Sequence, residues 1–289
     1  MRRWLLGARP RTLPAAVVPV LVGTAAATGV PGTDVVAWRA LAALVVALAI
    51  QVATNYVNDF ADGERGTDTN RVGPVRLVGS GLATVGEVKR AALAAAAVAA
   101  VAGLALVVVV GPELLVVGAC SFAAGYFYTG GPKPYGYLGL GELFVFVFFG
   151  LVATAGSAYV QLERVSGLSI AAAIPVGLLA TALLVINNLR DIPTDVVAGK
   201  VTLAVRLGDR DTRSLYATLL IGAFATAAAL AVVRLGALAA LLAIPVAVPP
   251  VRAVLSGATG PRLIPVLGAT GKVQLAVGAL LAAGLALTA

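Results

Sequence analysis

Apolar stretches of membrane-crossing length recur along the whole 289-residue chain, separated by short polar breaks. They lie near residues 13–29, 39–57, 88–110, 113–129, 139–157, 168–187, 213–233, 236–255 and 265–288. A run of about 20 apolar residues crosses the roughly 30 Å hydrocarbon core of a bilayer as a helix. The pattern therefore predicts an all-α polytopic membrane protein, a bundle of about nine transmembrane helices forming one domain over residues 1–289. The first stretch contains Pro14 and Pro19 and is followed by many more, so it reads as the first helix and not as a cleaved signal. Two long hydrophilic segments interrupt the pattern, near 58–87 and 188–212. Both mix Gly with charges of both signs, which is unlike a linker.

Composition agrees: 60% of residues are hydrophobic and 12% charged, with mean hydropathy +0.98, where a soluble protein carries about 25% charged residues. The net charge of +8 is spread over loops without interleaved aromatics, which argues against nucleic acid as a partner. All but three of the 21 Lys and Arg fall in the N-terminus or in the connections after every second span; Arg39, Arg164 and Arg234 lie on the other side. Positive charge stays inside. The N-terminus and both polar loops are thus predicted cytoplasmic and the C-terminus outside, in a cell (inner) membrane. The absence of histidine excludes His-based acid–base chemistry and His-ligated metals. The lone Cys120 lies in an apolar span and permits no disulfide or zinc site within one chain.

The candidate chemistry sits at the ends of two spans. One segment reads Asn55-Tyr-Val-Asn58-Asp59-Phe-Ala-Asp62, the other Asn187-Asn188-Leu-Arg190-Asp191-Ile-Pro-Thr-Asp195. In each, an Asn precedes the first Asp by four residues and a second Asp follows by three or four, a spacing that shares one helical face. Carboxylates beside hydrocarbon are costly and point to function. The first segment runs on through Gly66, Asp68, Arg71, Gly73-Pro74, Arg76 and Ser80-Gly81. Asp59, Asp62 and Asp68 offer hard oxygen ligands, and Arg71 and Arg76 offer positive charge. Mg²⁺ takes one or two carboxylates with water and phosphate oxygens, and Arg recognises phosphate bidentately. In the second segment Asp191 and Asp195 are spaced for a second metal or the far side of the same cluster, although Pro193 is expected to break the helix between them. Lys200 and Arg206 follow as phosphate contacts. A third polar element, Tyr126 to Glu142, holds Lys133, the only cation of its loop, and several Tyr that read first as interface anchors. The Phe-rich run after Glu142 either lines an apolar tunnel or faces lipid. Arg9 and Arg11 read as juxtamembrane anchors.

Together these residues resemble the UbiA superfamily of intramembrane prenyltransferases, with nine helices and two Asp-rich motifs. Asn58-Asp59-x-x-Asp62-x-x-x-Gly66-x-Asp68, Arg71-x-Gly73-Pro74-x-Arg76 and Ser80-Gly81 are similar to its 1,4-dihydroxy-2-naphthoate branch, which serves menaquinone synthesis. So are Ala8-Arg9-Pro10-Arg11-Thr12-Leu13-Pro14, Tyr128-Thr-Gly-Gly-Pro132, and Asn187-Asn188-x-Arg190-Asp191-x-x-x-Asp195 with its trailing Gly199-Lys200-x-Thr202-Leu203. Two departures stand out: the third Asp is Asp68, with Gly66 at the usual position, and Tyr128 to Lys133 is one residue longer than Tyr-x-x-x-Lys. The resemblance implies that Mg²⁺, held by Asp59, Asp62, Asp191 and Asp195 with Asp68 next, bridges to a polyprenyl diphosphate. Arg76, Lys133, Arg190 and Lys200 would take the diphosphate, Asn55, Asn58 and Asn188 would orient carboxylates or metal-bound water, and Arg71 and Tyr128 would touch substrate. The allylic group would pass to the ring of an aromatic acceptor with loss of its carboxylate, giving a demethylmenaquinone. Rivals are a sister enzyme for another acceptor such as 4-hydroxybenzoate, an ion-coupled transporter, and a CDP-alcohol phosphotransferase. The last needs a further Asp pair soon after the first, whereas here it comes in the second half of the chain.

Overall fold

The computed structural model describes residues 2–66, 73 and 75–289. Those residues form helices and turns, without strands. In order the helices are α1 (Arg2–Ala8), α2 (Pro14–Ala26), α3 (Ala37–Glu64), α4 (Val85–Val110), α5 (Glu113–Phe127), α6 (Gly141–Val145), α7 (Ala153–Leu162), α8 (Gly167–Val197), α9 (Leu203–Ala229), α10 (Ile244–Leu255) and α11 (Leu263–Leu287). A π-helical stretch, Phe146–Val152, joins α6 to α7 as one span. A 3-10 stretch, Leu235–Ala243, leads into α10.

The expected count of nine spans is slightly high. Among the described residues seven helices are long and apolar enough to cross a membrane, and the bent pair Arg2–Thr12 and Pro14–Ala26 makes an eighth. Glu113–Phe127 has only 15 residues, and at 1.5 Å per residue such a helix falls short of the roughly 30 Å core. The apolar run itself, 113–129, is only 17 residues long, and a turn follows it, with the Gly130 amide on the Tyr126 carbonyl at 2.8 Å.

Local chemistry sets the helix starts. Thr84 caps α4 with a box in which the Glu87 amide reaches the Thr84 hydroxyl and the Glu87 carboxylate accepts from the Thr84 amide, satisfying donors that a helix start leaves open. Ser166 and Ser169 do the same for α8. The second expectation to fall is the break at Pro193: α8 runs through it to Val197. Pro lacks an N–H and so removes one ladder bond near the helix end, but the Thr194 hydroxyl donates to the Asp191 carbonyl at 2.9 Å and the last turn closes. Asp191 and Asp195 therefore share a face.

Lipid gives helices little hydrophobic reason to associate, so small residues decide the crossings. A Cβ on Gly284 would stand 1.9 Å from the Gly236 carbonyl oxygen, and one on Gly150 would stand 2.5 Å from the Gly177 Cα. Helix α8 is the centre of the bundle: 72% of its apolar window is buried, against 11% for α4, which faces outward. At one end lie the N-terminus and both Asp-rich segments. At the other, Arg234 donates to the carbonyls of Thr28 and Leu285, and Arg39 meets Glu163 at 2.9 Å. The chain's two termini are thus at opposite ends of the bundle.

Candidate active site

Both Asp-rich segments are the last turns of long helices, α3 and α8, so the chain places their carboxylates where hydrocarbon gives way to water. The two first-motif acids do different things. Asp59 is fully buried, and its oxygens accept from the amides of Leu77 and Val78 at 2.8 and 2.9 Å. It folds the connection after α3 back onto the helix, and Leu77 fills the space beneath, fully buried. Asp62 is the hub. Its Oδ2 lies 3.0 Å from Lys200 Nζ and 3.3 Å from Arg76 Nη2, while its Oδ1 accepts from the Tyr137 hydroxyl at 2.7 Å. A buried carboxylate is tolerable only when so held.

The second motif is held from within. Arg190 Nε and Nη2 grip Asp191 at 2.7 and 2.8 Å, and Nη2 also donates to Asn187 Oδ1 at 2.8 Å. Arg190 Nη1 is buried without a partner. Gly73 lies against this guanidinium: a Cβ would sit 3.1 Å from Nη2, a tight contact to which the guanidinium would have to give by a few tenths of an ångström. The first polar connection thus covers the second motif, and the Asp62–Lys200 pair ties the two together. Asp195 is half-buried, and its carbonyl accepts from the Lys200 amide at 2.8 Å.

The asparagines are braces. Asn58 accepts from the Thr129 hydroxyl at 2.7 Å, Asn188 donates to Glu142 at 2.9 Å, and Asn55 donates to the Ala8 carbonyl at 2.9 Å. Each thereby fastens another segment to a motif helix. Lys133 stands apart, exposed on its turn. Asp68 and Arg71 lie outside the described residues.

Sequence reasoning missed two participants, Tyr137 and Arg65. Tyr137, read as an interface anchor, bonds Asp62 and lies under Lys200 Nζ at 4.7 Å from the ring centroid. Arg65 donates to the carbonyls of Thr129 and Gly131 and stacks on the same ring at 5.3 Å. Arg206, expected as a phosphate contact, donates to the Leu138 carbonyl at 2.9 Å, holding that turn in place. Only the clustering of Tyr and Gly in 126–142 signalled Tyr137 in the sequence.

Beside the motifs opens a cavity of about 790 Å³, within the size range of small-molecule sites. Arg9, Arg11, Arg76, Asn55, Asn58 and Asn187 line its polar end, and no Asp or Glu among the described residues lines it at all. Deeper in, it is apolar. The aromatics stack along one wall: Tyr128 on Tyr135 at 5.6 Å, Tyr135 on Phe144 at 3.9 Å, Phe144 on Phe148 at 6.0 Å. The π-helical stretch permits this, turning Phe148 and Phe149 inward while Phe146 packs against Gly177. The Phe-rich run lines a tunnel. Burial pushes the Tyr128 phenol pKa well above its ordinary value, and the negative fields of Glu142, Asp62 and Asp195 push the same way. Burial likewise raises Tyr135. Both hydroxyls stay protonated and can only donate or accept hydrogen bonds.

Among the described residues no three acidic side chains converge to form a complete metal cage. Mg²⁺ does not need one, since water and phosphate oxygens complete its shell. The donor types at the helix ends, carboxylates and amides, fit such an ion.

Comparison with known proteins agrees with this geometry. The pattern of the UbiA prenyltransferase family matches residues 16–262. The chain is 50% identical over 282 residues to the 1,4-dihydroxy-2-naphthoate octaprenyltransferase of Mycobacterium tuberculosis, covering 98% of this chain and 96% of that one. It is 42% identical over 226 residues to the Escherichia coli protein of the same name, covering 76% and 73% respectively. In fold it is similar to a UbiA homolog from Aeropyrum pernix (TM-score 0.72, 18% identity, 93% and 95% covered). It is also similar to one from Archaeoglobus fulgidus bound to GPP and Mg²⁺ (TM-score 0.65, 16% identity, 96% and 99% covered). With two Asp-bearing helix ends meeting over an apolar cavity, the chain belongs to the UbiA prenyltransferase family.

Proposed function

We propose that the protein transfers a polyprenyl group from polyprenyl diphosphate to 1,4-dihydroxy-2-naphthoate, with Mg²⁺, as a step of menaquinone biosynthesis. The observation that carries the reading is the cavity: arginines and amides at one end, among them Asn55, Asn58 and Asn187 of the two Asp-rich segments, and hydrocarbon with aromatic rings at the other. The near-full-length identity to naphthoate octaprenyltransferases supports the choice of acceptor.

In this reading Arg76, Arg190 and Lys200 receive the diphosphate. Arg190 Nη1, buried and unpaired, is preset for an anion, and Tyr128 adds a neutral donor. Mg²⁺, when held by Asp62, Asp191 and Asp195, supplies further positive charge to the leaving group. The C1–O bond of the donor breaks and its electron pair leaves with the diphosphate, where Lys and Arg stabilise the growing charge. The allylic cation is held against the faces of Tyr135, Phe144 and Phe148, as cations are by aromatic rings, in a wall that excludes water. The ring carbon bearing the carboxylate attacks C1. Carbon dioxide then departs, leaving its bonding pair to restore aromaticity, so no protein base is required. The product is the quinol form of demethylmenaquinone. Arg9 and Arg11 bring positive charge to a wall free of acids, which suits a carboxylated acceptor. The orientation follows the charge bias: N-terminus and motif loops in the cytoplasm, C-terminus outside, in the inner membrane.

The test uses purified protein in lipid with Mg²⁺, a polyprenyl diphosphate and one acceptor at a time, read by mass spectrometry. A Mg²⁺-dependent naphthoate product lacking the carboxylate is expected. Product from 4-hydroxybenzoate alone would keep the mechanism and replace the acceptor.

A further inference from the structure

One polar group on the cavity wall has no part in the transfer chemistry. Gln51 lies on α3 one turn deeper in the bundle than Asn55, lines the cavity, and is 7% exposed. Its Nε2 donates to the Thr12 hydroxyl at 3.0 Å, and Asn55 Nδ2 donates to the same oxygen at 3.2 Å. That hydroxyl gives its one proton to the Arg9 carbonyl at 2.9 Å. With one donor and two acceptor sites, a hydroxyl so engaged is saturated. It can face only the amino ends of the two amides, so neither can flip. Gln51 is clamped by its nitrogen, and its Oε1 has no donor among the described residues. That oxygen is not sealed in the core but belongs to a residue lining the cavity, which makes the cavity's occupant its natural partner.

The chemistry of the occupants narrows the choice. An isoprenoid tail has no donor. The diphosphate is itself an acceptor and sits at the Asp motif, with Asp62 about 16 Å along the helix from Gln51 at 1.5 Å per residue. Only the ring hydroxyls of the aromatic acceptor donate. The hydroxyl next to the carboxylate is internally hydrogen-bonded, leaving the 4-hydroxyl free.

We infer that Gln51 is the residue that recognises the acceptor, accepting a hydrogen bond from its 4-hydroxyl through Oε1; this rests on the naphthoate reading above. The experiment compares wild type with Gln51→Leu and the closer-shaped Gln51→Met. It measures KM for both substrates, and inhibition by 1-hydroxy-2-naphthoate, which lacks the 4-hydroxyl. The KM for 1,4-dihydroxy-2-naphthoate is expected to rise roughly tenfold, the worth of one such bond, with KM for polyprenyl diphosphate unchanged within about twofold. Wild type is expected to prefer the dihydroxy over the monohydroxy compound, and either variant to lose that preference. Thr12→Val, which removes the clamp, is expected to move the same way by less. A parallel rise in both KM values would mark a general packing defect and overturn the role, as would an undiminished preference in the variants. No naphthoate product from the wild type would overturn the functional reading and this inference together; naphthoate turnover with unchanged preference would sink Gln51 alone.

Discussion

Asp59 and Asp62 are three residues apart, share a face, and are both buried, yet their surroundings give them separate tasks. Asp59 holds backbone amides and Asp62 holds cations. Asp59→Asn keeps one acceptor oxygen but turns an amino group toward one of the two N–H donors. It is expected to loosen residues 76–79, so that limited proteolysis cuts there faster as turnover falls. Asp62→Asn is expected to lower kcat by at least about 100-fold, on the scale of losing electrostatic stabilisation of a leaving group, without exposing that connection. Equal protease sensitivity in the two variants would merge their roles. The raised Tyr128 pKa has a signed consequence. Its protonated form is favoured in the fold, so this contribution to stability is intact below the ordinary phenol value of about 10 and declines as pH rises beyond it. Tyr128→Phe is expected to flatten that alkaline loss in a thermal-melt series. The carboxylates could be read from the sequence because Asp beside hydrocarbon is so seldom incidental. Tyr137 and Gln51 could not: a Tyr near a membrane boundary, or one amide in an apolar span, acquires its role only from what the fold brings opposite.

Helix α8 shows why elements outlast their local rules. Pro193 signals a stop, but tertiary contacts and the Thr194 back-bond carry the helix on for four residues. Because Pro contributes no ladder bond there, Pro193→Ala is expected to leave activity intact and to raise the melting temperature slightly; a tenfold loss of activity would show that the ring itself shapes the motif. The glycine crossings are less forgiving. Gly284→Val would drive a side chain into the Gly236 carbonyl, and overpacking of this sort costs about 1–3 kcal/mol or more. Its expected signature is a lowered melting temperature with the active-site end still intact. Apolar runs were legible as helices because period and length speak for themselves. The path of the chain after α5 was not, since hydropathy cannot see the turn at Gly130 that follows it.

At the scale of the molecule, charge bias and contacts agree on a polar, basic end that carries the chemistry and an opposite end that carries the C-terminus. In a Cys120→Ser background, a cysteine placed at Lys133 is expected to react with an impermeant label only in inverted vesicles, and one at Gly32 only in right-side-out vesicles. The reverse pattern would invert the topology. One pairing across this end has a further consequence. Asp62 and Lys200, far apart in sequence, neutralise each other, as do Asp191 and Arg190. The site's own ion pairs therefore compete with any charged ligand. A lone anion must prise a cation from the carboxylate that holds it, and a lone metal ion must displace that cation instead. A ligand bearing both signs exchanges every partner at once and leaves nothing unpaired. Under the proposed function, such a site is expected to turn away ordinary cellular phosphate and admit a metal-loaded diphosphate, a selectivity set by the protein's own internal ion pairs before any shape is tested.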